Sequence, residues 1–403
     1  MAWESGPSVS VSEPQKFVYL DYAASAPMRQ EALDAEAAYE RAPYAGANPN
    51  SLHTLGREAY RALEGARGDL ARLVGGRFRP SDVVFTSGGT ESNNLALYGM
   101  AEGARGRDRK RTKVIISAIE HDSEEDVAPS LRDRGFEVVF VLPGRDGVVS
   151  VEAVEKYLDN TTALVSVMSA NNETGVIQPV AQIARAAHKA GALFHTDASQ
   201  AFGKVPLDVA DADAVTVAGH KRGGPVGVAA LLIRGRCPFR PQTFGGGQEG
   251  GKRPGTQDVR SALAFVAAAK ACCQDLQKTR AEVALRAQHL YALICAEGTG
   301  IVPTTTTQMD EGRLPGLVSV MAPGLDSESL VLQLDAAGYE VSAASACASG
   351  SLDPSHVLSA MGIPRDEAFG SLRISFDERV GEGELAEFGR TLIKIVARLR
   401  GGR

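Results

Sequence analysis

The chain has 403 residues, a length at which a protein usually divides into two or three domains. It carries 43 basic and 49 acidic side chains, a net charge of −6, and this mild acidity without a basic block argues against nucleic acid as the main partner. Hydrophobic residues make up 44% of the chain and charged residues 23%, which is typical of a soluble globular protein and excludes a disordered one.

The cysteines are five in number, which is too few and too odd a count for a disulfide framework. No CxxC pair and no cluster of cysteine with histidine predicts a zinc site. We therefore expect reduced thiols in a cytosolic compartment and no bound metal. The composition leaves open whether any of the five does more than fill the core. They are Cys237, Cys272, Cys273, Cys295 and Cys347.

Targeting and membrane segments are not predicted. Residues 1–16 are polar and lack the basic start and apolar core of a signal peptide, so we expect a disordered extension. The longest apolar runs, such as residues 226–233, are far too short to span a bilayer.

Between residues 83 and 233, short apolar runs alternate with amphipathic helical patterns. The runs are rich in Val and Ile and mostly lack polar alternation, which predicts parallel strands buried on both faces. Alternation of strand and helix predicts a wound α/β sheet with right-handed crossovers. The predicted strands are residues 83–86, 113–117, 137–141, 163–168, 192–196, 213–217 and 228–233, and the predicted helices are residues 90–102, 123–134 and 180–190.

The pattern changes after about residue 255, and residues 261–297 predict one long helical region rich in Ala and Leu. Beyond it we expect a smaller α+β domain. Its predicted strands are residues 317–321, 339–342 and 371–376, and its predicted helices are residues 327–336 and 382–399. The expected division is a small domain of residues 17–30 and 260–403 and a large domain of residues 31–259.

One glycine-rich run resembles nucleotide-binding motifs without fulfilling them. Residues 245–250 match GxGxxG, but they follow no apolar strand and open no helix. Residues 246–253 nearly match a P-loop, but Arg253 stands where a Ser or Thr would bind Mg²⁺. A glycine-rich turn explains the run better, although residues 253–256 remain candidates for lining a site.

Residues 87–91, Ser-Gly-Gly-Thr-Glu, lie between a predicted strand and a predicted helix. Glycines allow close backbone approach, and the unpaired amides at a helix start favour an anion. An ordinary turn capped by Thr90 explains this motif equally well.

Other polar side chains follow neighbouring strands of the predicted sheet. Thr90, His121, Asn172, Asp197 and Lys221 each come just beyond a strand. Taken singly, each is more often a cap, a turn or a surface residue. Because the carboxyl ends of parallel strands face one crevice, we expect them to converge. An anion site, an aromatic ring, two polar partners and an amine able to form a Schiff base together suit pyridoxal 5′-phosphate, PLP.

These residues lie in motifs that resemble those of a known family. From about residue 18 to residue 399 the chain is similar to the cysteine desulfurases of the iron–sulfur-cluster group, fold-type I PLP enzymes of the class-V aminotransferase family. The resemblance implies an α/β fold with a mainly parallel seven-stranded sheet in the large domain, a smaller α+β domain, and a homodimer with its sites at the subunit interface. The motifs, in the family's order, are residues 19–24, 48–53, 86–94, 120–121, 171–175, 197–200, 219–221, 245–249, 253–256 and 345–349.

The resemblance implies a role for each matching residue. Lys221 would bind PLP covalently and then act as the proton-shuttling base. Asp197 would pair with the pyridinium nitrogen, and His121 would stack on the ring and assist proton transfer. Arg373 would clamp the substrate carboxylate with its guanidinium fork. The further implied contacts are Asn172 and Gln200 to the phenolic oxygen, Gly89, Thr90, His220 and the partner subunit's Thr256 to the phosphate, and Asn172 and Asn48 to the substrate.

Cys347 lies among small residues, in the run 342–351, which predicts an exposed loop. A buried cysteine would need larger apolar neighbours. In the family this thiolate attacks the sulfur of PLP-bound L-cysteine, which leaves a persulfide on Cys347 and releases L-alanine. The sulfur then passes to an acceptor protein, such as an iron–sulfur scaffold or a tRNA-thiolation enzyme. The other four cysteines are expected to be packing residues.

The chain departs from the family in two places. Ala218 stands where the family usually has a phosphate-binding Ser, and residues 222–225 differ from the usual aromatic-containing segment. Losing a hydrogen bond to a charged group costs about 1.5–3 kcal/mol, so we expect weaker PLP retention unless Arg222 compensates. The alternatives are a selenocysteine lyase, another fold-type I aminotransferase, or a scaffold without activity, and Cys347 together with Lys221 argues for the desulfurase.

Overall fold

The computed structural model describes residues 17–307, 309, 312–343 and 355–401. The predicted extension, residues 1–16, and the segment that carries Cys347, residues 344–354, lie outside the described residues. The strands are β1 (Val18–Tyr19), β2 (Val83–Thr86), β3 (Lys113–Ser117), β4 (Glu137–Val141), β5 (Thr162–Ser166), β6 (Leu193–Asp197), β7 (Ala214–Ala218), β8 (Ala229–Ile233), β9 (Val302–Pro303), β10 (Leu317–Met321), β11 (Tyr339–Glu340), β12 (Ser342–Ala343) and β13 (Ser371–Ser375). The α-helices are α1 (Gln30–Glu40), α2 (Thr54–Val74), α3 (Gly89–Arg107), α4 (Asp122–Glu125), α5 (Val127–Asp133), α6 (Val151–Glu155), α7 (Val180–Lys189), α8 (Val259–Cys273), α9 (Leu276–Ile294), α10 (Ser327–Asp335), α11 (His356–Ala360), α12 (Arg365–Ala368) and α13 (Glu382–Gly401).

Seven strands form a mainly parallel sheet in the order β2-β8-β7-β6-β5-β3-β4. Strand β8 runs antiparallel to both of its neighbours, and the other adjacent pairs are parallel. Every residue of β2, β3, β5, β7 and β8 is buried, as expected of strands covered on both faces. The predicted α/β fold with a mainly parallel seven-stranded sheet is confirmed.

Alternate residues of these strands face opposite cores, because side chains on a strand alternate between the two faces of a sheet. Ile115 of β3 lies in a core shared with α2, α7 and α8, whereas its neighbours Val114 and Ile116 lie in a core shared with α3 and α5. The strands therefore need apolar residues at successive positions, which is the pattern in the sequence.

A second, antiparallel sheet has four strands in the order β12-β13-β10-β9, and β1 pairs with β11 in parallel. A separate core is formed with α9, α10 and α13, through side chains such as Leu290, Leu334 and Phe388. Leu20, next to β1, belongs to the same core. This is the smaller α+β unit that the sequence predicts.

The single helical region predicted at residues 261–297 is wrong. The chain forms two helices, α8 and α9, because Asp275 between them has a φ of 53°, in the left-handed region, and Gln274 is extended. Helix α8 packs on α1 and α2 in the large core, and α9 packs on α13 in the smaller one. The break lets the chain pass from one core to the other. The division into two domains stays a proposal, and this packing favours a boundary after Cys273 over one at residue 260.

Other element boundaries differ from the prediction by smaller amounts. The helix predicted at residues 123–134 divides at Asp126 into α4 and α5, and the strand predicted at residues 339–342 is interrupted at Val341. Asp197, which the pattern places just after a strand, is the last residue of β6. The apolar runs therefore locate the strands but not their last residues.

The glycine-rich run at residues 245–250 is anchored by a buried ion pair. Arg67 of α2 donates from both terminal nitrogens to Glu249, at 2.6 Å and 2.8 Å, and also to the carbonyl of Val83 at 2.6 Å. Glu249 accepts a further bond from the amide of Phe85, at 2.8 Å, on the edge strand β2. Because Glu249 has a φ of 50°, the run is a tight turn folded against β2, which supports the turn interpretation.

We expect Arg67→Met to lower the free energy of unfolding by about 3–5 kcal/mol, because it leaves the buried Glu249 carboxylate unpaired. Urea unfolding followed by circular dichroism measures the loss. The matched control is Arg72→Met on the same helix, whose exposed side chain pairs with Asp69 and contributes about 0–1 kcal/mol. Equal losses in the two variants would show that burial of the pair is unimportant.

Candidate active site

Side chains that follow β3, β5, β6 and β7 meet at one edge of the large sheet, as the sequence predicts. His121 comes after β3, Asn172 after β5 and Lys221 after β7, while Asp197 ends β6. Asn93 donates to both Asp197 and Ser123, and Ser123 contacts the His121 ring, while Lys221 and Gln200, three residues after Asp197, donate to one carbonyl, that of Ala23. The polar residues that looked like separate turns are therefore one cluster.

Asp197 places a nearly buried carboxylate at the end of β6, where it is 8% exposed. Its Oδ2 accepts from Asn93 Nδ2 of α3 at 2.8 Å, and its Oδ1 accepts from the amide of Ser199 at 2.7 Å. Asn93 Nδ2 also donates to Ser123 Oγ at 3.0 Å. Each carboxylate oxygen therefore has a fixed donor, and the carboxylate cannot turn without breaking both bonds.

The His121 ring is neutral and held in one tautomer. Its Nδ1 accepts from the amide of Ser123, at 3.1 Å, where His121 caps α4. Because that nitrogen accepts, the proton of the neutral ring is assigned to Nε2. Burial lowers the pKa of His121, and the positive charge of Lys221 adds to this effect while the Asp197 carboxylate opposes it. A neutral imidazole in this tautomer can lie against an aromatic ligand and donate a hydrogen bond from Nε2.

Lys221 lies in a short 3₁₀ turn, His220–Arg222, directly after β7. Its Nζ donates to the carbonyls of Ala23 and Ala24, at 2.7 Å and 2.8 Å, so the segment that follows β1 positions the amine. Burial lowers the pKa of the preceding His220 to about 4, and the positive charges of Lys221 and Arg222 add to this effect. His220 is therefore a neutral hydrogen-bonding group beside a cation.

The start of α3 lies against the ends of β6 and β7. A Cβ at position 89 would lie 3.5 Å from Ser199 Oγ and 3.8 Å from Ala218 Cβ, so Gly89 brings its backbone close to both. Gly88 caps the helix without a side chain, and Thr90 is exposed. The first amides of α3 therefore face an open place suited to an anion.

Two predicted amide side chains reach the same cluster. Gln200 donates from Nε2 to the carbonyl of Ala23 at 2.9 Å, which is the carbonyl that Lys221 also contacts. The backbone carbonyl of Asn172 accepts a hydrogen bond from Arg373 Nη1 at 3.2 Å. Its side-chain Oδ1 is buried and has no hydrogen-bond partner among the residues that the structure describes.

Arg373, on β13 of the second sheet, is 3% exposed. It pairs through Nη2 with Asp21 Oδ1 at 2.9 Å, a residue that the sequence analysis did not assign to the site. Its Nε has no partner within the described ranges. The guanidinium is thus positioned by Asp21 and retains a donor for another group.

Two predicted residues, Asn48 and Thr256, lie exposed on the surface. Asn48 Oδ1 accepts from the amide of Asn50 at 2.9 Å, and Asn50 Nδ2 donates to Gln257 Oε1 at 2.9 Å. The segments around residues 48 and 256 are therefore neighbours, and they form one exposed surface.

Arg222 does not replace the phosphate-binding hydroxyl that Ala218 lacks. Its side chain is buried against α8, since a Cβ at Gly203 would lie 3.1 Å from both Arg222 Cδ and Cys272 Cβ. With Arg29 and Asp377 it lines a small cavity between the two cores. Arg222 therefore serves the junction of the cores and not the start of α3.

Asn93, Ser199 and Glu173 also lie at the site, although the sequence motifs that contain them did not single them out. Glu173 is 3% exposed, accepts from Ser355 Oγ, and so fixes the chain at the residue that follows 344–354. Burial raises the pKa of Glu173 to about 7. The partners of Asn93 and Glu173 are distant in sequence, so only the fold shows the roles of these two residues.

Four cysteines within the described residues are free thiols. Cys237 and Cys272 are buried, and Cys273 and Cys295 are partly buried. Burial raises the pKa of Cys273 and of Cys295 to about 11, so these thiols are protonated and unreactive at neutral pH. This agrees with the packing role expected for them.

Comparison with known proteins gives matches over nearly the whole chain. A family model described as Aminotransferase class-V matches residues 18–387. The chain is 39% identical to an IscS-like cysteine desulfurase of Mycobacterium tuberculosis, over 95% of this chain and 97% of that relative. A solved NifS-like protein is similar with a TM-score of 0.86 and 33% identity, over 95% of this chain and 100% of the other. A structure of SspA in complex with cysteine has a TM-score of 0.73 and 30% identity, over 89% and 98% of the two chains.

We expect Glu173→Gln to change how stability depends on pH. A carboxyl whose folded pKa is raised from 4.5 to about 7 loses folding free energy as pH rises through that window, by at most about 3 kcal/mol. Gln does not ionise, so the variant gains stability relative to wild type between pH 4.5 and pH 7. Urea midpoints at both pH values measure the difference, with the exposed Glu155→Gln as control. A difference that is constant with pH would contradict the assigned burial effect.

Proposed function

Because this chain belongs to the aminotransferase class-V family, we propose that it is a PLP-dependent cysteine desulfurase that carries sulfur on Cys347. The fold and the reaction class predicted from the sequence are confirmed by the family and by its desulfurase relatives. The observation that carries the site assignment is the cluster of an amine, Lys221, a buried carboxylate, Asp197, and a neutral imidazole, His121.

The residues of the cluster fit PLP. When bound, PLP supplies an electron sink for the negative charge that develops at the substrate Cα. Lys221 would hold it through its ε-amino group and would later move the Cα proton. Asp197 would keep the pyridine nitrogen protonated, because its carboxylate is fixed by Asn93 and by the amide of Ser199. His121 would lie against the ring.

The remaining predicted contacts stay proposals for the same site. The buried, unpartnered Oδ1 of Asn172 supports a polar ligand at this place, since such atoms are normally satisfied. Gln200, beside Lys221, would bond the phenolic oxygen. Gly89, Thr90 and His220 would bind the phosphate at the start of α3.

Arg373 would bind the carboxylate of L-cysteine. Its buried guanidinium is positioned by Asp21 and has Nε available, so a carboxylate can form a charge-assisted bond there. The relative SspA, whose structure contains cysteine, supports this substrate. Asn172 would contact the substrate from the other side. Asn48 is proposed as a substrate contact at the interface between subunits.

The described residues on both sides of the Cys347 segment support its role as nucleophile. Ser342 of β12 pairs directly with Arg373, so the chain leaves the second sheet beside the proposed carboxylate site. It returns at Ser355, which donates to Glu173, the neighbour of Asn172. Cys347 is four residues beyond Ala343, and an extended chain of that length reaches at most about 14 Å.

The sulfur step balances without an oxidant. The Cys347 thiolate forms a bond to the sulfur of L-cysteine as the Cβ–S bond breaks, and the carbon fragment takes up a proton and leaves as L-alanine. The product on the protein is a persulfide. An acceptor thiolate can attack its terminal sulfur and release the Cys347 thiolate. We propose an iron–sulfur scaffold or a tRNA-thiolation enzyme as the acceptor, with no direct binding of nucleic acid.

A homodimer is proposed because several large apolar side chains are highly exposed. Leu52, Phe244 and Val226 are 88%, 87% and 78% exposed, more than single surface residues of this size require. Leu52 lies in the same motif as Asn48, residues 48–53, and Phe244 directly precedes the motif of residues 245–249. A second copy would cover this surface, and the partner subunit's Thr256 would then reach the phosphate site.

The expected compartment is cytoplasmic, because a resting Cys347 must stay reduced. None of the helices in the described part of the chain is long and apolar enough to cross a membrane.

We expect Phe244→Asp to weaken dimerisation, because it places a charge in the apolar surface that the second copy would cover. Sedimentation velocity at micromolar concentration measures the subunit state. Leu142→Asp, at a position that is 63% exposed, is the matched control and should remain dimeric. A wild-type monomer, or equal behaviour of the two variants, would contradict this surface.

The decisive experiment measures L-alanine and persulfide formed from L-cysteine. We expect Cys347→Ala to abolish persulfide formation. We expect Lys221→Ala to lower the rate of L-alanine release on the order of 10²- to 10⁴-fold and to lose the absorbance of the bound cofactor. Cys295→Ala, which changes a packing thiol, should keep both products.

Other outcomes distinguish the alternative functions. Full sulfur transfer by Cys347→Ala would overturn the choice of nucleophile. Cleavage of L-selenocysteine without cleavage of L-cysteine would indicate a selenocysteine lyase, and amino-group transfer would indicate an aminotransferase. A wild type that neither binds PLP nor makes L-alanine would leave a scaffold.

A further inference from the structure

Ser199 is a buried serine at the candidate site whose hydroxyl the proposed function does not use. We propose that Ser199 Oγ binds the phosphate of PLP and takes the place of the hydroxyl that Ala218 lacks. The inference rests on the proposed function, since it assigns the anion at the start of α3 to the cofactor.

The Ser199 hydroxyl needs a partner. The residue is 8% exposed, and its Oγ has no hydrogen-bond partner among the residues that the structure describes. Buried hydroxyls are normally satisfied, because an unpaired one has lost its bonds to water. The amide of Ser199 is already engaged with Asp197 Oδ1 at 2.7 Å, which fixes the turn and with it the side chain.

The hydroxyl lies against the start of α3. A Cβ at position 89 would lie 3.5 Å from Ser199 Oγ, so the hydroxyl is in contact range of the first residue of a 19-residue helix. Helix starts favour anions through their unpaired amides and the helix dipole. Ser199 would add a hydroxyl donor on the inner side of that place.

The helix start has no side-chain cap of its own. Gly88 at the cap position has none to offer. The first-turn acid, Glu91, is turned away, because it accepts from the amide of Ser87 at 2.5 Å and pairs with Arg253 at 2.9 Å. No carboxylate of this turn therefore competes with a bound anion.

Ala218 lies beside the same position of Gly89 as the Ser199 hydroxyl. Its Cβ would be 3.8 Å from a Cβ at position 89, so Ser199 and Ala218 both face the backbone of Gly89. A hydroxyl at either position reaches the same place. Arg222 lines the cavity between the two cores together with Arg29 and Asp377 and does not fill this role.

The test measures binding of PLP and of pyridoxal, which lacks the phosphate, to the purified apo-protein by absorbance. We expect Ser199→Ala to lower the affinity for PLP about tenfold to a hundredfold, which is the effect of one hydrogen bond to a charged group. The affinity for pyridoxal should be unchanged. Ser199→Ala with Ala218→Ser should recover PLP affinity. Ser319→Ala is the matched control, because Ser319 is also buried with an unpartnered Oγ but lies in the second sheet.

A second readout separates the inference from the proposed function. Inorganic phosphate should raise the melting temperature of the wild type more than that of Ser199→Ala. Equal PLP affinity of the wild type and of Ser199→Ala overturns the inference and leaves the proposed desulfurase activity unaffected. A wild type that responds to phosphate through Ser199 but binds no PLP overturns the proposed function and leaves an anion site. Equal losses for PLP and pyridoxal also overturn the inference.

Discussion

The site depends on the carboxylate of Asp197, a charge kept almost out of water at the end of a central strand. Asn93 and the amide of Ser199 satisfy it from two different elements, so α3 and the turn after β6 are both fixed by the same group. Burial lowers the pKa of His121 and of His195 and raises that of Glu124, so these buried neighbours favour their neutral forms. Because the effective dielectric constant is low in a buried site, the negative charge of Asp197 interacts strongly with a cation beside it.

The segment after β1 joins the two cores around that charge. Ala23 receives Lys221 and Gln200 at its carbonyl and donates its amide to Ser375 Oγ of β13 at 2.8 Å. Asp21, two residues earlier, holds Arg373. A few residues thus connect the amine of the large sheet with the guanidinium of the second sheet, so the distance between them is set by one stretch of backbone.

Much of this was predictable because strand ends converge. The apolar runs located β2, β3, β4 and β10 to the residue, and the polar residues beyond them were found as a set. The break at Asp275 was not predictable, since Ala and Leu favour helix on both sides and only the change of core requires a turn there. The pairing of Asp21 with Arg373 was equally hidden, because the two residues lie at opposite ends of the chain and meet only through the second sheet.

In the proposed function, Cys347 carries sulfur in the segment between Ala343 and Ser355, two residues that the structure describes. The residue lies four positions after Ala343 and eight before Ser355, so its Cα stays within about 14 Å of Ala343 in any conformation. A tether of this length gives the Cys347 thiol an effective concentration on the order of millimolar at the proposed substrate site. This value does not depend on the concentration of the protein. The same radius limits the acceptor, because its thiol has to enter the sphere that Cys347 can reach. In the proposed function, sulfur delivery would be confined to partners that dock near the end of β12 and Ser355.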